Sequence, residues 1–164
     1  MKFVKRETPE YISVEEIAKD HGGEMSKFKR VHLFGKSDRS TFRYWFAHWA
    51  AYQMTALNLG VWKFRHLFHD IEKPWLRLVK PYPWVQSYHR THARHHLQYG
   101  LYHGFEKVRA IDLVVDWECS RFTKISQPLD ARQTLEREVQ DPKFRLYEKT
   151  IRDLIEPVLD SLDL

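Results

Sequence analysis

The sequence of 164 residues contains only one cysteine, Cys119. A single cysteine excludes an internal disulfide, and it also excludes zinc sites made of four cysteines or of two cysteines and two histidines. Residues 1–11 contain no apolar segment of the kind that a secretory signal peptide requires. Both features favour a reducing compartment, and we therefore expect a cytoplasmic protein.

Residues 44–62 lack Lys, Arg, Asp and Glu, and strand-type alternation of apolar and polar residues is missing throughout the chain. An uncharged stretch of this length meets the length criterion for a membrane span. However, four polar residues interrupt it at helical intervals, as in core helices of soluble proteins, and we expect no membrane span. These are His48, Gln53, Thr55 and Asn58. The length and the 43% hydrophobic content predict one all-α domain with one core.

Capping residues and helix breakers divide the chain into helices. Residues 1–40 are predicted to form an irregular lead-in, a short helix that begins with a capping box at Ser13 and stops at Gly22-Gly23, and a basic connector. Residues 41–164 are predicted to form a helical bundle. Its predicted helices are 41–60, a helix containing His69-Asp70 that bends or ends at Pro74, 84–99, 107–124, 130–140 and 144–162.

The stretch 62–76 is the principal candidate for a functional site. If it is one helix, its polar side chains project from one face. This face consists of His66, His69, Asp70 and Lys73. Burying two imidazoles, a carboxylate and an ammonium group is costly unless they bind one another or a metal ion. We therefore expect the chemistry of the protein to lie here.

Four residues from three predicted helices could form one metal site: His48, His69, Asp70 and Asp116. Mixed imidazole and carboxylate ligation suits divalent Mn, Fe, Co, Ni or Zn, and such a site would activate a water molecule. Taken alone, His48 is more often a hydrogen-bonded core residue, and Asp116 could be a cap or an ion-pair partner. Taken together, one cation would compensate the cost of burying all four. The apolar neighbours of Asp116 predict a buried carboxylate.

A second cluster lies in the segment 88–96, which contains four histidines: His89, His92, His95 and His96. On a continuous helix the first, second and last of these lie within about 60° of one another. They could complete a second metal site or hold an anion together with Arg90 and Arg94. The alternative is a basic surface helix that binds polyanions. The net charge of +5 favours an anionic partner without choosing among these.

The order His48, His69-Asp70, Asp116 resembles the H…HD…D signature of the HD-domain metal-dependent phosphohydrolase superfamily, and residues 69–73 are similar to its HDxxK form. Further segments are similar to a little-characterised branch found in bacteria and phages, across roughly residues 44–124. These segments are His89, His95-His96 with Tyr99, and Asp116-Trp117.

The resemblance implies a single-domain helical bundle of HD type that hydrolyses a small phosphoester, such as a nucleotide, with one or two divalent transition metal ions. It implies that His48, His69, Asp70 and Asp116 are metal ligands, and that His89, His95 and His96 bind a second metal or a phosphate group. Asp70 or a histidine could take the proton from water. Lys73 would lie behind Asp70 or contact a phosphoryl oxygen.

Two alternatives remain open at this point. The wider superfamily includes di-iron oxygenases such as myo-inositol oxygenase, and the additional histidines are compatible with that chemistry. The chain could instead be a non-enzymatic nucleic-acid-binding protein in which the histidine segment binds the polyanion. Nucleic acid is not the favoured partner, because the tryptophans lie mostly among apolar neighbours rather than among Lys and Arg.

Overall fold

A computed structural model of the chain describes residues 42–124 and 129–164, which contain seven α-helices, three short 3-10 helices and no strand. The α-helices are α1 (Phe42–Asn58), α2 (Glu72–Arg77), α3 (Tyr82–His92), α4 (Leu97–His103), α5 (Ala110–Thr123), α6 (Ala131–Gln140) and α7 (Glu148–Ser161). The 3-10 helices are Phe64–Phe68, Phe105–Lys107 and Arg145–Tyr147. The all-α prediction is confirmed for these residues, whereas the short helix and connector predicted within 1–40 lie outside them.

Helix α5 lies at the centre of the described residues. Eleven of its 14 residues are buried, as expected for a helix that has neighbours on nearly every side. One side packs against α4, α6 and α7 through Val114 and Trp117. Another side contacts α1 through Val115 and Cys119. The carboxylate of Asp116 is also buried, as the sequence predicts, and it faces α1.

The contact between α1 and α5 is made largely by small side chains. Ala47, Ala51 and Ala56 of α1 and Cys119 of α5 are all fully buried. Because the distance between packed helices depends on the side chains at their contact, this composition lets the two backbones approach closely. The close approach places His48 of α1 beside α5.

Residues 62–76 do not form the predicted continuous helix. Phe64–Phe68 is a 3-10 helix, Asp70 adopts a left-handed backbone conformation with φ of 58°, and α2 begins only at Glu72. Pro74 therefore lies in the first turn of α2 instead of ending a helix. Proline lacks a main-chain N–H, but the first N–H groups of any helix have no intrahelical partner. Pro74 therefore costs no hydrogen bond at this position.

Three donors spaced four residues apart on α1 explain this departure. They donate to main-chain carbonyl groups of the non-helical stretch: Trp45 Nε1 to Asp70 at 2.8 Å, Trp49 Nε1 to Leu67 at 2.9 Å, and Gln53 Nε2 to His66 at 2.6 Å. We call Trp45, Trp49 and Gln53 the donor row. Carbonyl groups satisfied from α1 do not need helical partners, so the tertiary contact overrides the local helical pattern.

The helix predicted for 84–99 is in fact two helices. Helix α3 ends at His92, Ala93 is extended, and α4 begins after His96. Gly100, predicted to end the helix, lies inside α4, where an added Cβ would lie 2.5 Å from the ring of Phe105. The break at 93–96 directs His95 and His96 back towards α3. A continuous helix would have separated these two adjacent residues by about 100°.

The remaining helices follow the sequence more closely. Asp130 caps α6 as its predicted first residue, with its carboxylate accepting from the Gln133 amide at 2.8 Å, and α6 and α7 are separated near Asp141. Helix α5 begins three residues later than predicted, after the 3-10 helix Phe105–Lys107. Among the described residues, none of the helices combines the length and the apolar character needed to cross a bilayer.

Candidate metal centre

The four residues predicted to bind one metal ion meet between α1, α5 and the turn that precedes α2. His48 Nε2 lies 2.9 Å from Asp116 Oδ1 and 3.4 Å from His69 Nε2. His69 Nε2 lies 3.5 Å from Asp116 Oδ1 and 3.6 Å from Asp70 Oδ1. Ligand atoms about 2.1 Å from a transition metal are separated by about 3.0–3.4 Å, close to these distances. We call His48, His69, Asp70 and Asp116 the first ligand set.

The left-handed conformation of Asp70 is maintained by contacts at both its backbone and its side chain. Such a conformation costs about 1–3 kcal/mol for a residue other than glycine, so the surroundings must stabilise it. Its carbonyl accepts hydrogen bonds from Trp45 Nε1 and from the Lys73 amide, and its Oδ2 accepts a bond from Lys73 Nζ at 2.5 Å. The carboxylate is therefore held in one position between α1 and α2.

A second group of ligand atoms lies on the other side of Asp70. His89 Nε2 is 3.0 Å and His95 Nε2 is 3.2 Å from Asp70 Oδ1, without the alignment of a hydrogen bond. His96 Nε2 is also buried, and the ligand nitrogens of the three histidines lie within 4.8 Å of one another. We call Asp70, His89, His95 and His96 the second ligand set.

The second ligand set fits a cation. Its four atoms, Asp70 Oδ1 and the Nε2 atoms of the histidines, are buried and lack a hydrogen-bond partner among the described residues. Buried polar atoms almost always form hydrogen bonds, whereas His89 and His95 only lie at ion-pair distance from Asp70 Oδ1 and His96 Nε2 has no partner among the described residues. A metal ion would satisfy all of them. The buried histidine and aspartate groups could thus hold one or two ions that share Asp70.

The protonation states of these groups suit metal binding. Burial lowers the pKa of His69 to about 4 and holds the pKa of His96 well below its usual value. Burial alone would raise the pKa of Asp116, but the imidazoles of His48 and His69 outweigh it and hold the pKa well below the usual range. The pKa of Asp70 is lowered in the same way by His69, His89 and Lys73. Metal ligands of these types must be deprotonated, and the lowered pKa values of His69, His96, Asp70 and Asp116 favour that form.

Glu72 is a functional residue that the sequence analysis missed. Its Oε1 accepts a hydrogen bond from His89 Nδ1, which directs His89 Nε2 towards Asp70. Such carboxylate–histidine pairs orient histidine ligands and raise their basicity. Burial opposes the charged form of His89, but Asp70 and Glu72 outweigh it and raise the pKa of His89. The signal in the sequence was an acidic residue two positions after Asp70, read only as a variable position of the motif.

Other side chains support the first ligand set. The ring of Tyr52 stacks on His69 at a centroid distance of 3.6 Å, and Thr123 Oγ1 lies 3.4 Å from His48 Nδ1. Cys119 Sγ also lies near His48 and Asp116, within the range of a metal ligand. However, burial raises the pKa of its thiol well above the usual value, and the thiol donates to the Asp116 carbonyl. A protonated thiol is a poor ligand, so we place Cys119 in the supporting shell.

Two of the histidines expected near the site lie elsewhere. His66 Nε2 contacts Asp112 Oδ1 at 3.1 Å, and Arg65 forms a two-pronged ion pair with the same carboxylate at 2.6 and 3.0 Å. His66 therefore belongs to an ion-pair network beside the ligand sets. His92 is exposed, and its Nδ1 bonds to the Tyr88 carbonyl of its own helix at 2.8 Å. The prediction that His66 shares one face with His69 and Asp70 is therefore wrong. The prediction that His92 lies beside His89 and His96 at one site is also wrong.

Two cavities reach Asp70 from different sides. The larger has a volume of about 450 Å³ and extends from Asp70, His89 and His95 to the surface near Arg94 and Arg109. The smaller has a volume of about 180 Å³ and is lined by His48, Asp70 and Lys73 together with mostly apolar residues. The candidate metal centre is thus accessible to small molecules.

Comparisons with protein-family models, with curated proteins and with solved structures found no match to this chain. The HD-type resemblance remains a prediction from the sequence motif.

Proposed function

We propose that this chain is a metal-dependent phosphohydrolase of HD type, which acts on a small phosphoester such as a nucleotide. The observation that carries the proposal is the second ligand set, whose four buried and unpartnered ligand atoms lie directly beside the first ligand set. Three residues of this set, Asp70, His89 and His95, line the larger cavity, and arginines line it as well. An anionic substrate could therefore reach the ions from solvent.

The ligand sets hold two carboxylates, Asp70 and Asp116, so two divalent ions would leave a net charge of +2 there. A divalent ion would supply Lewis-acid activation of water and of a phosphoryl oxygen. The net positive charge would favour a phosphate group and the charge that develops on it in the transition state.

The roles of the protein side chains follow from their contacts. Lys73 bonds to Asp70 Oδ2 and lines only the smaller cavity, which favours a supporting role behind Asp70 over direct contact with a phosphoryl oxygen in the larger cavity. Asp70 lines the larger cavity, and Asp70 or a neighbouring histidine is the proposed acceptor of the proton from water. Glu72 keeps His89 in the orientation that presents Nε2.

The test combines metal analysis of the purified protein with a phosphatase screen over nucleotides and simpler phosphate esters. We expect one or two Mn, Fe, Co, Ni or Zn ions per chain and release of inorganic phosphate. Asp70→Ala should abolish both metal binding and activity while circular dichroism still shows a helical protein, because it removes the shared ligand but little packing volume. Full metal occupancy in Asp70→Ala would contradict the assignment of the site.

A di-iron oxygenase is a second candidate function, favoured by the three imidazoles of the second ligand set, because iron readily accepts imidazole ligands. The same purified protein distinguishes the two candidates. Two irons per chain together with oxygen uptake in the presence of an organic substrate would favour the oxygenase. Phosphate release with Mn, Co or Ni and without oxygen uptake would favour the hydrolase.

Nucleic-acid binding without catalysis has weaker support. The rings of Trp84, Tyr88 and His92 on α3 stack on one another, at centroid distances of 5.1 and 4.0 Å, so they occupy ring faces that bases would need. A salt-dependent shift of a labelled single-stranded oligonucleotide by the metal-free protein would favour this alternative.

A further inference from the structure

Three arginines line the larger cavity, and the last two of them are exposed at the surface: Arg65, Arg94 and Arg109. We call them the arginine rim. They come from three different segments of the chain, and the ligand atoms of Asp70, His89 and His95 line the same cavity. The proposed reaction needs positive charge at the ions, but it does not explain why further cations line the same cavity.

Arg65 is already engaged. Its guanidinium donates to both carboxylate oxygens of Asp112, and this pairing raises the pKa of Arg65 and lowers that of Asp112 against the opposing effect of burial. Because Asp112 balances one positive charge and its two oxygens are occupied by Arg65, this pair serves mainly to build the cavity wall. Arg109 forms only a long ion pair with the same carboxylate, and Arg94 has no carboxylate partner among the described residues.

Arg94 and Arg109 are held next to each other and remain largely uncompensated. The main-chain amide of Arg109 donates a hydrogen bond of 2.8 Å to the main-chain carbonyl of Arg94. The Cα atoms that carry the two side chains are therefore close together. Arg109 Nη1 comes no nearer to Asp112 than 3.9 Å, and the side chain of Arg94 makes no ion pair within the described residues. Both side chains are exposed, and neither is needed for packing.

We propose that Arg94 and Arg109 bind a second anionic group of the substrate, remote from the group held at the ions. Guanidinium groups bind phosphate and carboxylate through paired, charge-assisted hydrogen bonds, and either group fits this requirement. The substrate class is therefore a small molecule with two separated anionic groups. This inference rests on the proposed function, because it assumes that the first anionic group is a phosphate at the ligand sets.

The cavity is also lined by two aromatic residues, Phe68 and Tyr88. Tyr88 is stacked between Trp84 and His92, so its edge and hydroxyl group, rather than its faces, are available to a ligand. A ring in the middle part of the substrate therefore cannot stack on Tyr88, and this part of the cavity offers little selectivity for one ring over another. Recognition should depend mainly on the separation of the two charges.

The experiment uses isothermal titration calorimetry on metal-loaded protein with non-hydrolysable probes. Alkane-α,ω-bisphosphonates of increasing length, from ethane to pentane, are compared with alkylphosphonates of matched length, and ω-phosphonocarboxylates form a third series. The variant is the double substitution Arg94→Gln/Arg109→Gln. Its matched control is Lys143→Gln/Arg145→Gln, which removes two exposed positive charges that line no cavity reaching Asp70.

In the wild type, a bis-anion of suitable length should bind about tenfold more tightly than the matched alkylphosphonate. In Arg94→Gln/Arg109→Gln this advantage should fall to about twofold or less, while binding of the alkylphosphonate changes little and the control behaves as the wild type. If only the bisphosphonates bind more tightly than the alkylphosphonates, the second anionic group is a phosphate. If the ω-phosphonocarboxylates show the larger gain, it is a carboxylate. An advantage that is missing in the wild type, or that persists in the double variant, overturns the inference.

Failure of the proposed function gives a different result. Alkylphosphonates would then bind equally with and without metal, and no phosphate ester would be hydrolysed. In that case, the affinities of the bisphosphonates and the alkylphosphonates are compared on chelator-treated protein. There, loss of the advantage in the double variant still supports the arginine site, and its persistence still overturns it.

Discussion

The indole Nε1 of Trp45 donates a hydrogen bond of 2.8 Å to the main-chain carbonyl of Asp70. Asp70 belongs to both ligand sets and has a left-handed backbone, which its own local sequence does not favour. Helix α1 therefore contributes twice to the candidate centre: His48 supplies a candidate ligand atom, and Trp45 holds the backbone of Asp70 in place. The position of Asp70 depends on a contact with a distant helix.

The substitution Trp45→Phe tests this dependence, because it keeps an aromatic ring and removes the donor. We expect metal affinity to fall about tenfold, in the range found when groups that orient metal ligands are lost. Helical content should stay the same by circular dichroism, and the affinity is measured by metal titration. Trp75→Phe is the control, since Trp75 is 69% exposed on α2. Equal affinities in the two variants would contradict the role of the Trp45 bond.

Glu72→Gln should affect the two ions unequally. It replaces the carboxylate that accepts from His89 Nδ1, so binding at the second ligand set should weaken about tenfold or more, with the first set unchanged. Metal analysis at limiting metal should then find one ion per chain in Glu72→Gln where the wild type holds two. The variant His96→Ala, which removes a ligand of the second set, should likewise retain one ion. Glu106→Gln, at an exposed position, is the control. Equal weakening of both sites in Glu72→Gln would argue against two separate ligand sets.

Asp116→Asn preserves the shape of the side chain and removes its charge. A metal ion that binds only the folded state stabilises it by about 2.7 kcal/mol at a hundredfold excess over the dissociation constant. If Asp116 is a ligand of the first set, most of the stabilisation that this site provides should vanish in the variant. Melting curves with and without chelator measure it for both proteins. The same chelator-induced drop in the melting temperature of both would show that Asp116 is not a ligand.

The stability of the protein at low pH should depend on Asp112. Burial raises the pKa of this carboxyl group, but Arg65 and His66 outweigh it, so the pKa in the folded state lies below the ordinary value of 3.8. A lowered pKa stabilises the folded state above the unfolded-state value, and this contribution is lost as pH falls through the folded-state value. Asp112→Asn should therefore be less stable than wild type at neutral pH, and the difference should shrink below about pH 4.

Urea unfolding of chelator-treated protein from about pH 7 to about pH 3 measures this difference. Asp153→Asn is the control, because Asp153 pairs with Lys149 only at the exposed surface. Surface pairs of this kind contribute little, so this variant should parallel the wild type at each pH. A difference between Asp112→Asn and wild type that stays constant across the range would exclude titration of Asp112 as its source.

The sequence sufficed where structure is decided locally. Asp130, the predicted first residue of its helix, caps α6 by accepting a hydrogen bond from the main-chain amide of Gln133. It failed where distant groups satisfy the backbone. Nothing in the sequence of residues 62–76 indicates that Trp45 will bond to the main chain of Asp70. The helical pattern predicted for this stretch also grouped His66 with the ligands, whereas His66 contacts Asp112.

The candidate ligands were nevertheless identified, because their chemistry depends on residue type rather than on local conformation. His48, His69, Asp70 and Asp116 come together although two of them lie on a turn instead of a helix. Asp116 is buried, as its apolar neighbours predict. Glu72 escaped notice since its role arises only from the position of His89 on α3. Residues that orient ligands have no residue-type signature strong enough to be found without the fold.

The donor row has a consequence for how the chain folds. Trp45 and Asp70 are 25 positions apart, and His48 and its neighbour Thr123 are 75 positions apart, so the centre requires closure of long loops. Local helices form in microseconds or less, whereas non-local contacts form later. Refolding followed at once by far-ultraviolet circular dichroism and by a metal-responsive dye should therefore show helix before metal capture. Ions supplied during refolding would find no binding site until α1 has docked, and metal capture would mark the final step of folding.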